Sequence, residues 1–346
     1  MTNIYIIHSG IAHVSPYMTS LKSELVDRGY SVEFVPDIYH YCFKKIGYIY
    51  LHRLGRLYNN ASEESINSFI SRIVYLKKLG FKILWTIHNF YPLSTISNSL
   101  DEIVIKKLAY LCDHIFVHTD YMKKNAEKLF KRNVINHGYG TNLSLNNIND
   151  DLLIPTIRKS EYNLCFVGNI RDYKDIDLLL NSFLMINRDI YKINLYILGP
   201  FYNHDTSLKI FLNKCLNNNI TIIDNFFHNL YELAEKFDAF VCTYNINFPQ
   251  FKMGFFASSI ASLGIYNKPI ICPECESVLD IIKTRDSAIL YKSGEVDSLK
   301  EAICRLYDMS KENQNKMSNK LKLHLLKQSW YNVVEIIHGT ITKDKW

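Results

Sequence analysis

The chain of 346 residues contains no apolar run approaching the roughly 18–20 residues that a membrane-crossing helix requires. Its opening, MTNIYIIHSG, lacks the basic stretch and apolar core of a secretory signal. No short repeat and no low-complexity tract occurs. Neither G-x-x-x-x-G-K-[S/T] nor G-x-G-x-x-G is present, which argues against P-loop nucleotide hydrolases and typical dinucleotide dehydrogenases. Zinc-ligand spacing is missing too, because Cys272-Pro-Glu-Cys275 has no second pair and no matching histidines. A redox role for that pair would need it to open the helix after the first strand of a thioredoxin unit, and it lies late in the chain. These absences weigh against a secreted scaffold, an integral membrane protein, a coiled coil and a collagen.

What is present is a globular composition, with 48% hydrophobic and 21% charged residues. At about 150 residues per domain, the length corresponds to roughly two domains. The 8 cysteines sit mostly in apolar runs such as NLCFVG and AFVCTY, as small buried hydrophobes of a reducing, cytoplasmic compartment do. Net charge is 40 − 34 = +6. The excess is local: Lys44 to Lys82 holds eight basic residues against Glu63 and Glu64, a pattern that suits an anionic partner.

The order strand, loop, helix repeats along the chain. NIYIIHSG, SVEFVPD, KILWTIH, HIFVHT and NVINHG read as strands of one half. Ser15-Pro16 starts a helix that Gly29 ends, and a second helix covers about Ser62 to Leu79. The Asn-, Asp- and Ser-rich stretch from Thr141 to Ser160 reads as a linker. The pattern then restarts with NLCFVGN, INLYILG, ITIID, AFVCTY, KPIICP and AILYK, and the tail from about Lys311 is helical. Continuous rather than alternating apolar strands predict parallel sheets covered on both faces. The expectation is an α/β protein of two doubly wound domains with the carboxyl ends of their sheets across a cleft, where ligands of such sheets bind. The domains span 1–150 and 161–325, with a C-terminal helical segment 326–346 that crosses back to the first.

Chemistry concentrates at the strand ends. After Gly168, a loop carrying Arg171 and Lys174 leads into a helix near Asp175, so backbone N–H groups and two cations converge as they would on a diphosphate. Asp175 and Asp177 have D-x-D spacing but sit at a helix start, where acids are favoured, so no metal site is assigned. Gly199, Phe227 and Tyr244 follow other strands of that half, and the aromatics suit stacking on a base. In the first half His13, His52, His88, His118 and Asp120 are candidates for proton transfer or acceptor contact, and His88 ends the clearest strand. Tyr121 to Arg132, YMKKNAEKLFKR, combines lysines with Met122, Leu129 and Phe130, as a helix lying on an anionic membrane surface does.

The run G-x-I-R-x-Y-K-x-x-D from Gly168 to Asp177 resembles the donor loop of GT-B glycosyltransferases of the group 1, family-4-like class. Leu84-Trp-Thr-Ile-His-Asn89, Asp113 to Thr119, Asn136-His-Gly-Tyr139, the strand ending Gly199-Pro200, and Asn267-Lys-Pro-Ile-Ile271 resemble further segments of that class in the same order, over about residues 4–335. The resemblance implies a GT-B fold of two Rossmann-like domains, and transfer of a sugar from a nucleotide-diphosphate sugar to a saccharide acceptor. A lipid-linked acceptor in surface polysaccharide assembly, with the protein peripheral on the inner membrane face, fits the bacterial branch. The diphosphate would be met by cations and helix ends, with no metal and no cofactor. His88 and Asp120 are the catalytic candidates. Gly168, Arg171, Lys174, Gly199, Phe227, Tyr244, Ser258 and Ser259 are the donor-binding ones, and His13 and His52 the acceptor-binding ones. The chain departs from the pattern where many family-4 enzymes carry two glutamates eight positions apart, since Gly254 and Ser262 stand there. In their place Met253 to Ser259 is expected to open a helix. The loss inclines the stereochemistry to inversion, and it keeps two rivals open: a non-catalytic homologue serving a partner transferase, and a sugar-nucleotide epimerase. No nucleic-acid partner is expected.

Overall fold

The computed structural model describes residues 1–7, 15–39, 43–52, 62–91, 99–141, 157, 160–201, 219–225, 227, 230–251 and 253–344. The first part of the chain holds β1 (Asn3–Ile7), α1 (Pro16–Asp27), β2 (Ser31–Val35), β3 (Gly47–Leu51), α2 (Glu63–Lys78), β4 (Lys82–Ile87), α3 (Ser99–Leu111), β5 (His114–Val117), α4 (Asp120–Phe130) and β6 (Ile135–Asn136). Then come β7 (Tyr162–Val167), α5 (Ile176–Leu184), β8 (Ile193–Leu198), β9 (Ile220–Ile223), α6 (Leu230–Lys236), β10 (Ala239–Val241) and α7 (Ser258–Leu263). The last elements are β11 (Ile270–Pro273), α8 (Glu276–Ile282), β12 (Ile289–Tyr291), α9 (Val296–Asp308), α10 (Lys311–Leu326) and α11 (Trp330–Ile341). The chain divides into two units. One comprises residues 1–142, 247–256 and 328–346, and the other 143–246 and 257–327.

Each unit is built on a six-stranded sheet, in the order β2-β1-β3-β4-β5-β6 in the first and β12-β11-β10-β7-β8-β9 in the second. Every pairing in the first sheet is parallel, and so is every pairing in the second. In the first, the period-two alternation of side chains sorts the strands onto two cores. Tyr5, Ile7, Ile49, Leu51, Ile83, Trp85 and Ile87 meet α2, α3 and α4. Ile4, Ile6, Tyr48, Tyr50, Leu84 and Phe116 meet α1 and α11. Burial on both faces explains why these strands read as unbroken apolar runs.

Helix starts follow the capping rules. The Ser15 hydroxyl accepts from Met18 N with Pro16 at the first helical position, and Ser62 caps α2 with Glu63 and Glu64 in the first turn. Gly80, next after the α2 cap, takes φ +93°.

The structure departs from the sequence expectations at four places. β3 was not among the expected strands, because GYIYL lies inside the stretch read as a basic run. Part of that run is paired within the protein: Lys77 with Asp113 at 2.6 Å, Lys82 with Asp344 at 3.6 Å, and Arg72 donates to the Ile38 carbonyl, while Lys44, Lys45 and Lys78 are exposed. α4 turns its apolar side to the core, with Met122 and Ala126 buried and Leu129 and Phe130 packed against it. Arg132 there caps the end of α3 by donating to the carbonyls of Ala109, Cys112 and Asp113. What α4 leaves exposed is charge, at Lys124 and Lys128. Finally, no helix opens at Met253. Phe255 forms an antiparallel bridge with Asn89, Asn125 Nδ2 donates to the Met253 carbonyl, and α7 begins only at Ser258. Most of the stretch expected as a linker, and all of His13's loop, lie outside the described residues.

The last helix belongs to the first unit. Ser329 caps it by accepting from Asn332 N, and Thr141 N donates to the Gln328 carbonyl at 2.6 Å. Val333, Val334, Ile337 and Ile341 are buried, each contributing roughly 1.5–3 kcal/mol. Beyond it, Asp344 accepts from Tyr48 Oη at 2.8 Å and His114 Nε2 at 2.9 Å. Burial would raise its carboxyl, but these bonds and Lys82 override that and hold it below the usual value. A carboxylate depressed in the folded state stabilises above its ordinary titration range and loses that contribution as pH falls through the folded value. Asp344→Asn is therefore expected to cost about 1–3 kcal/mol at pH 7 in denaturant unfolding, with the difference from wild type shrinking below about pH 4.

Candidate functional site

Candidate residues collect in each unit at the carboxyl ends of its strands, where a parallel sheet presents the residue that follows each strand. In the first unit β3, β4, β5 and β6 are consecutive neighbours, and each is followed by a histidine: His52, His88, His118 and His137. Because Ile87 pairs with Val117 and Val117 with Asn136, His88, His118 and His137 stand in one row. Leu51 pairs with Trp85, so His52 is in register with Thr86, two residues before His88.

The rings are hydrogen-bonded in series. His118 Nδ1 lies 2.8 Å from the Gly138 carbonyl, and His118 Nε2 lies 3.0 Å from His88 Nδ1. His88 Nε2 lies 3.1 Å from His52 Nδ1. A branch runs from the same carbonyl to His137 Nδ1 at 2.6 Å, from His137 Nε2 to Thr86 Oγ1 at 3.1 Å, and from there to Tyr50 Oη at 2.8 Å. Gly138, the residue anchoring both branches, takes φ +77°, a conformation that favours glycine, and a Cβ there would also displace the Gln328 amide. Burial pushes His118 down to about 4 and His137 down to about 3, the latter with help from His118, so both are neutral at pH 7.

Tyr17 of α1 closes over the row. Its ring stands edge-on to His88 at 4.9 Å, His118 at 5.8 Å, His52 at 5.9 Å and Trp330 at 4.7 Å. Its hydroxyl is buried with no hydrogen-bond partner among the described residues. The sequence reading missed Tyr17 as part of this assembly, and held His137 and Gly138 only within the Asn136-His-Gly-Tyr139 segment. Asp120 sits in the first turn of α4, exposed, accepting from Asn136 Nδ2 at 2.7 Å. His13 lies outside the described residues.

In the second unit the site forms where strand order reverses, between β7 and β10. Gly168 and Gly199 end β7 and β8 side by side. A Cβ on Gly199 would lie 1.9 Å from the Gly168 carbonyl oxygen, which explains the second glycine. A 3₁₀ turn, Asp172–Lys174, follows Arg171, and Asp175 at φ +51° starts α5. Lys174 is only 5% exposed. Its Nζ donates to Ser259 Oγ at 2.9 Å and lies 4.0 Å from the centre of the Tyr244 ring. Thr243 Oγ1 donates to its carbonyl. No carboxylate pairs with it among the described residues. Burial pulls Lys174 from 10.5 down to about 8, against a smaller upward pull from the Cys242 thiol. Ser259 also lies beside Gly168, whose Cβ would be 3.7 Å from its Oγ.

Gly168, Lys174, Gly199, Tyr244 and Ser259 thus converge. Arg171 is half-buried at the start of the turn, Ser258 is exposed at the first position of α7, with Ala257 and not Ser258 in the cap position, and Phe227 is buried after β9. Cys272 and Cys275 are both free thiols, raised by burial.

A buried ammonium with no counter-charge among the described residues suits an anion. Until one binds, it costs stability. The drop from 10.5 to about 8 corresponds to about 3 kcal/mol against the charged form. The unfolded chain binds more protons between those values, so stability rises with pH through that window, and the penalty is complete below pH 8. Lys174→Met is expected to be more stable than wild type at pH 7, with the gain shrinking toward pH 10, as thermal unfolding across that range will show.

A family model described as glycosyl transferases group 1 matches residues 150–324. No curated protein matches the sequence. Among solved structures, sucrose-phosphate synthase from Thermosynechococcus elongatus is similar at 13% identity and a TM-score of 0.73, with 99% of each chain covered. Anabaena HepE, solved with UDP and glucose, is similar at 9% identity and a TM-score of 0.71, covering 99% of this chain and 100% of its own. A glycosyltransferase from Rickettsia africae is similar at 12% identity and a TM-score of 0.71, with 99% of each chain covered. At these identities the likeness is one of fold.

Proposed function

The chain belongs to the group 1 glycosyl transferases and has the GT-B fold, and from that premise we propose that it moves a hexosyl group from a nucleotide-diphosphate sugar to a saccharide. The donor diphosphate is held in the second unit by Lys174, Arg171, Ser259 and the backbone at Gly168 and Gly199, with Tyr244, Phe227 and Ser258 around it. The single observation that carries this is Lys174: a buried ammonium, 4.0 Å from the centre of the Tyr244 ring, at the strand-order reversal where such sheets bind phosphates. Anabaena HepE, of like fold, was solved with UDP-glucose as well. Fixed cations of this kind stabilise the departing diphosphate as its charge develops, which is the task a metal performs in other transferases. We assign the reaction no metal and no cofactor.

On the same reading the acceptor is a saccharide, lipid-linked, in surface polysaccharide assembly, and its hydroxyl meets the histidine row of the first unit. Contact with an anionic membrane surface rests on the exposed lysines of α4 alone, since the apolar residues of that helix face the core. The positions that carry glutamate in many relatives support a second reading, a non-catalytic homologue: Gly254 is buried at φ +94° and Ser262 is exposed on α7.

Thermal unfolding with UDP, GDP, CMP, ADP and dTDP, each with and without a chelator, tests the donor site. One nucleotide is expected to raise the midpoint equally in both conditions, by the equivalent of about 2.7 kcal/mol at 100 times its Kd. Lys174→Met, folded and more stable, is expected to lose that response. No response to any nucleotide at millimolar concentration, or a full response in Lys174→Met, would overturn the reading.

A further inference from the structure

Part of the first unit's surface carries apolar side chains where lysines gather. α2 and α3 each link successive parallel strands, so they run the same way and pack side by side. Lys77, in the last turn of α2, pairs at 2.6 Å with Asp113, two residues past α3, so the two helix ends are neighbours. At those ends Tyr75 and Leu79, four apart on one face of α2, are exposed, and Tyr110 in the last turn of α3 is 85% exposed. Ile46, exposed as well, joins them, since a Cβ on Gly80 would lie 3.5 Å from its Cδ1. Lys44, Lys45, Lys78 and Lys107 are exposed among these four.

The arrangement is held from beneath. Tyr5 Oη accepts from Lys45 N at 3.2 Å and donates to the Lys45 carbonyl at 3.1 Å. Phe43 packs with its ring centre 5.0 Å from that of Tyr5 and 5.3 Å from that of Phe81. Residues 44–46 are thereby left at the surface. The Arg72 guanidinium, bonded to the Ile38 carbonyl, stands 5.2 Å from the centre of the Tyr75 ring.

We propose that this face, formed by the ends of α2 and α3 and by residues 44–46, docks on an anionic lipid bilayer. The assignment rests on the membrane contact of the reading above and is independent of the sugar transfer. α4 offers lysines without exposed apolar groups, whereas this face offers both. Tyrosine and aliphatic side chains enter the boundary between headgroups and acyl chains, and lysines around them reach the headgroup phosphates. A protein partner fits less well, because the centre of a protein interface is depleted of lysine. A second copy, using the same patch on both sides, would set lysines against lysines. The nearby acids do not cancel the charge: Asp113 is paired with Lys77, and Glu102 with Lys106 at 2.7 Å. Glu63 and Glu64 stand in the first turn of α2, about 22 Å along the helix from Leu79.

Flotation of the full chain with lipid vesicles tests the proposal. Binding is expected to vesicles of phosphatidylcholine and phosphatidylglycerol in equal parts, not to phosphatidylcholine alone, and it is expected to weaken as salt is raised. Lys44→Gln, Lys45→Gln and Lys78→Gln are each expected to weaken it about fivefold, and Leu79→Gln or Tyr110→Ser about tenfold. These positions are exposed, so thermal unfolding of the variants is expected to match wild type. Lys124→Gln with Lys128→Gln, on α4, is expected to keep most of the binding. Loss of binding in that α4 variant, with full binding in the α2 and α3 variants, overturns this face and leaves the membrane contact on α4. No binding to either vesicle overturns the membrane contact itself, and equal binding to both overturns the preference for anionic lipid. A dimer that Tyr110→Ser dissolves overturns the proposal in favour of a second copy on this face.

Discussion

A parallel sheet delivers the end of every strand to the same edge, and the chemistry of both units depends on that constraint. The central strands β3, β4, β7 and β8 run almost wholly buried and then present whatever follows to a shared edge. In the first unit, four neighbouring strands are each followed by histidine. In the second, Gly168 and Gly199 close two of them and Tyr244 follows a third. Sequence separations of 20–36 residues between partners in the histidine row collapse to about 3 Å. No local motif could do this, because the spacing comes from strand register.

The two units solve opposite electrostatic problems. His118 and His137 are buried, neutral at pH 7 and hydrogen-bonded to the Gly138 carbonyl, so their burial costs little. Lys174 is buried as a cation against a hydroxyl and a ring face. These partners offset part of the desolvation, but a neutral hydroxyl and a cation–π contact are each worth about 1–2 kcal/mol, less than a buried charge requires. The deficit is what an incoming diphosphate would make good, and it makes affinity and apo stability rise and fall in opposite directions at this one position.

How much of this was legible follows from where each signal lives. All six strands of the second unit could be read, because KPIICP and its kind are short apolar runs bounded by turns. β3 was not, although GYIYL is equally apolar, since counting charge across Lys44 to Lys82 drew attention to residues whose partners Asp113 and Asp344 are remote in sequence. His52, His88 and His118 were each named as candidates from the residue types alone. Their connection was out of reach, since it depends on pairs such as Ile87 with Val117. Lys174 was found by its place in a loop between strand and helix. Its burial was not, because the covering residues, Tyr244 and Ser259, come 70 and 85 positions later. The stretch 247–256 belongs to the first unit though it lies between elements of the second, and neither composition nor turn signals mark such an excursion.

The C-terminal helix brings these threads together. Trp330 opens α11 and packs on Tyr17, which covers the histidine row. A Cβ at Gly140 would lie 2.4 Å from the Trp330 ring, and one at Gly138 would strike Gln328, so the segment carrying the anchoring carbonyl is moulded to the chain end. The carbonyl that accepts from His118 and His137 therefore lies against residues almost 200 places away, and these in turn are held by the buried face of α11 and the Asp344 contacts. A change that loosens α11 reaches the histidine row through two neighbours at once, the Gly138–Gly140 segment and Tyr17.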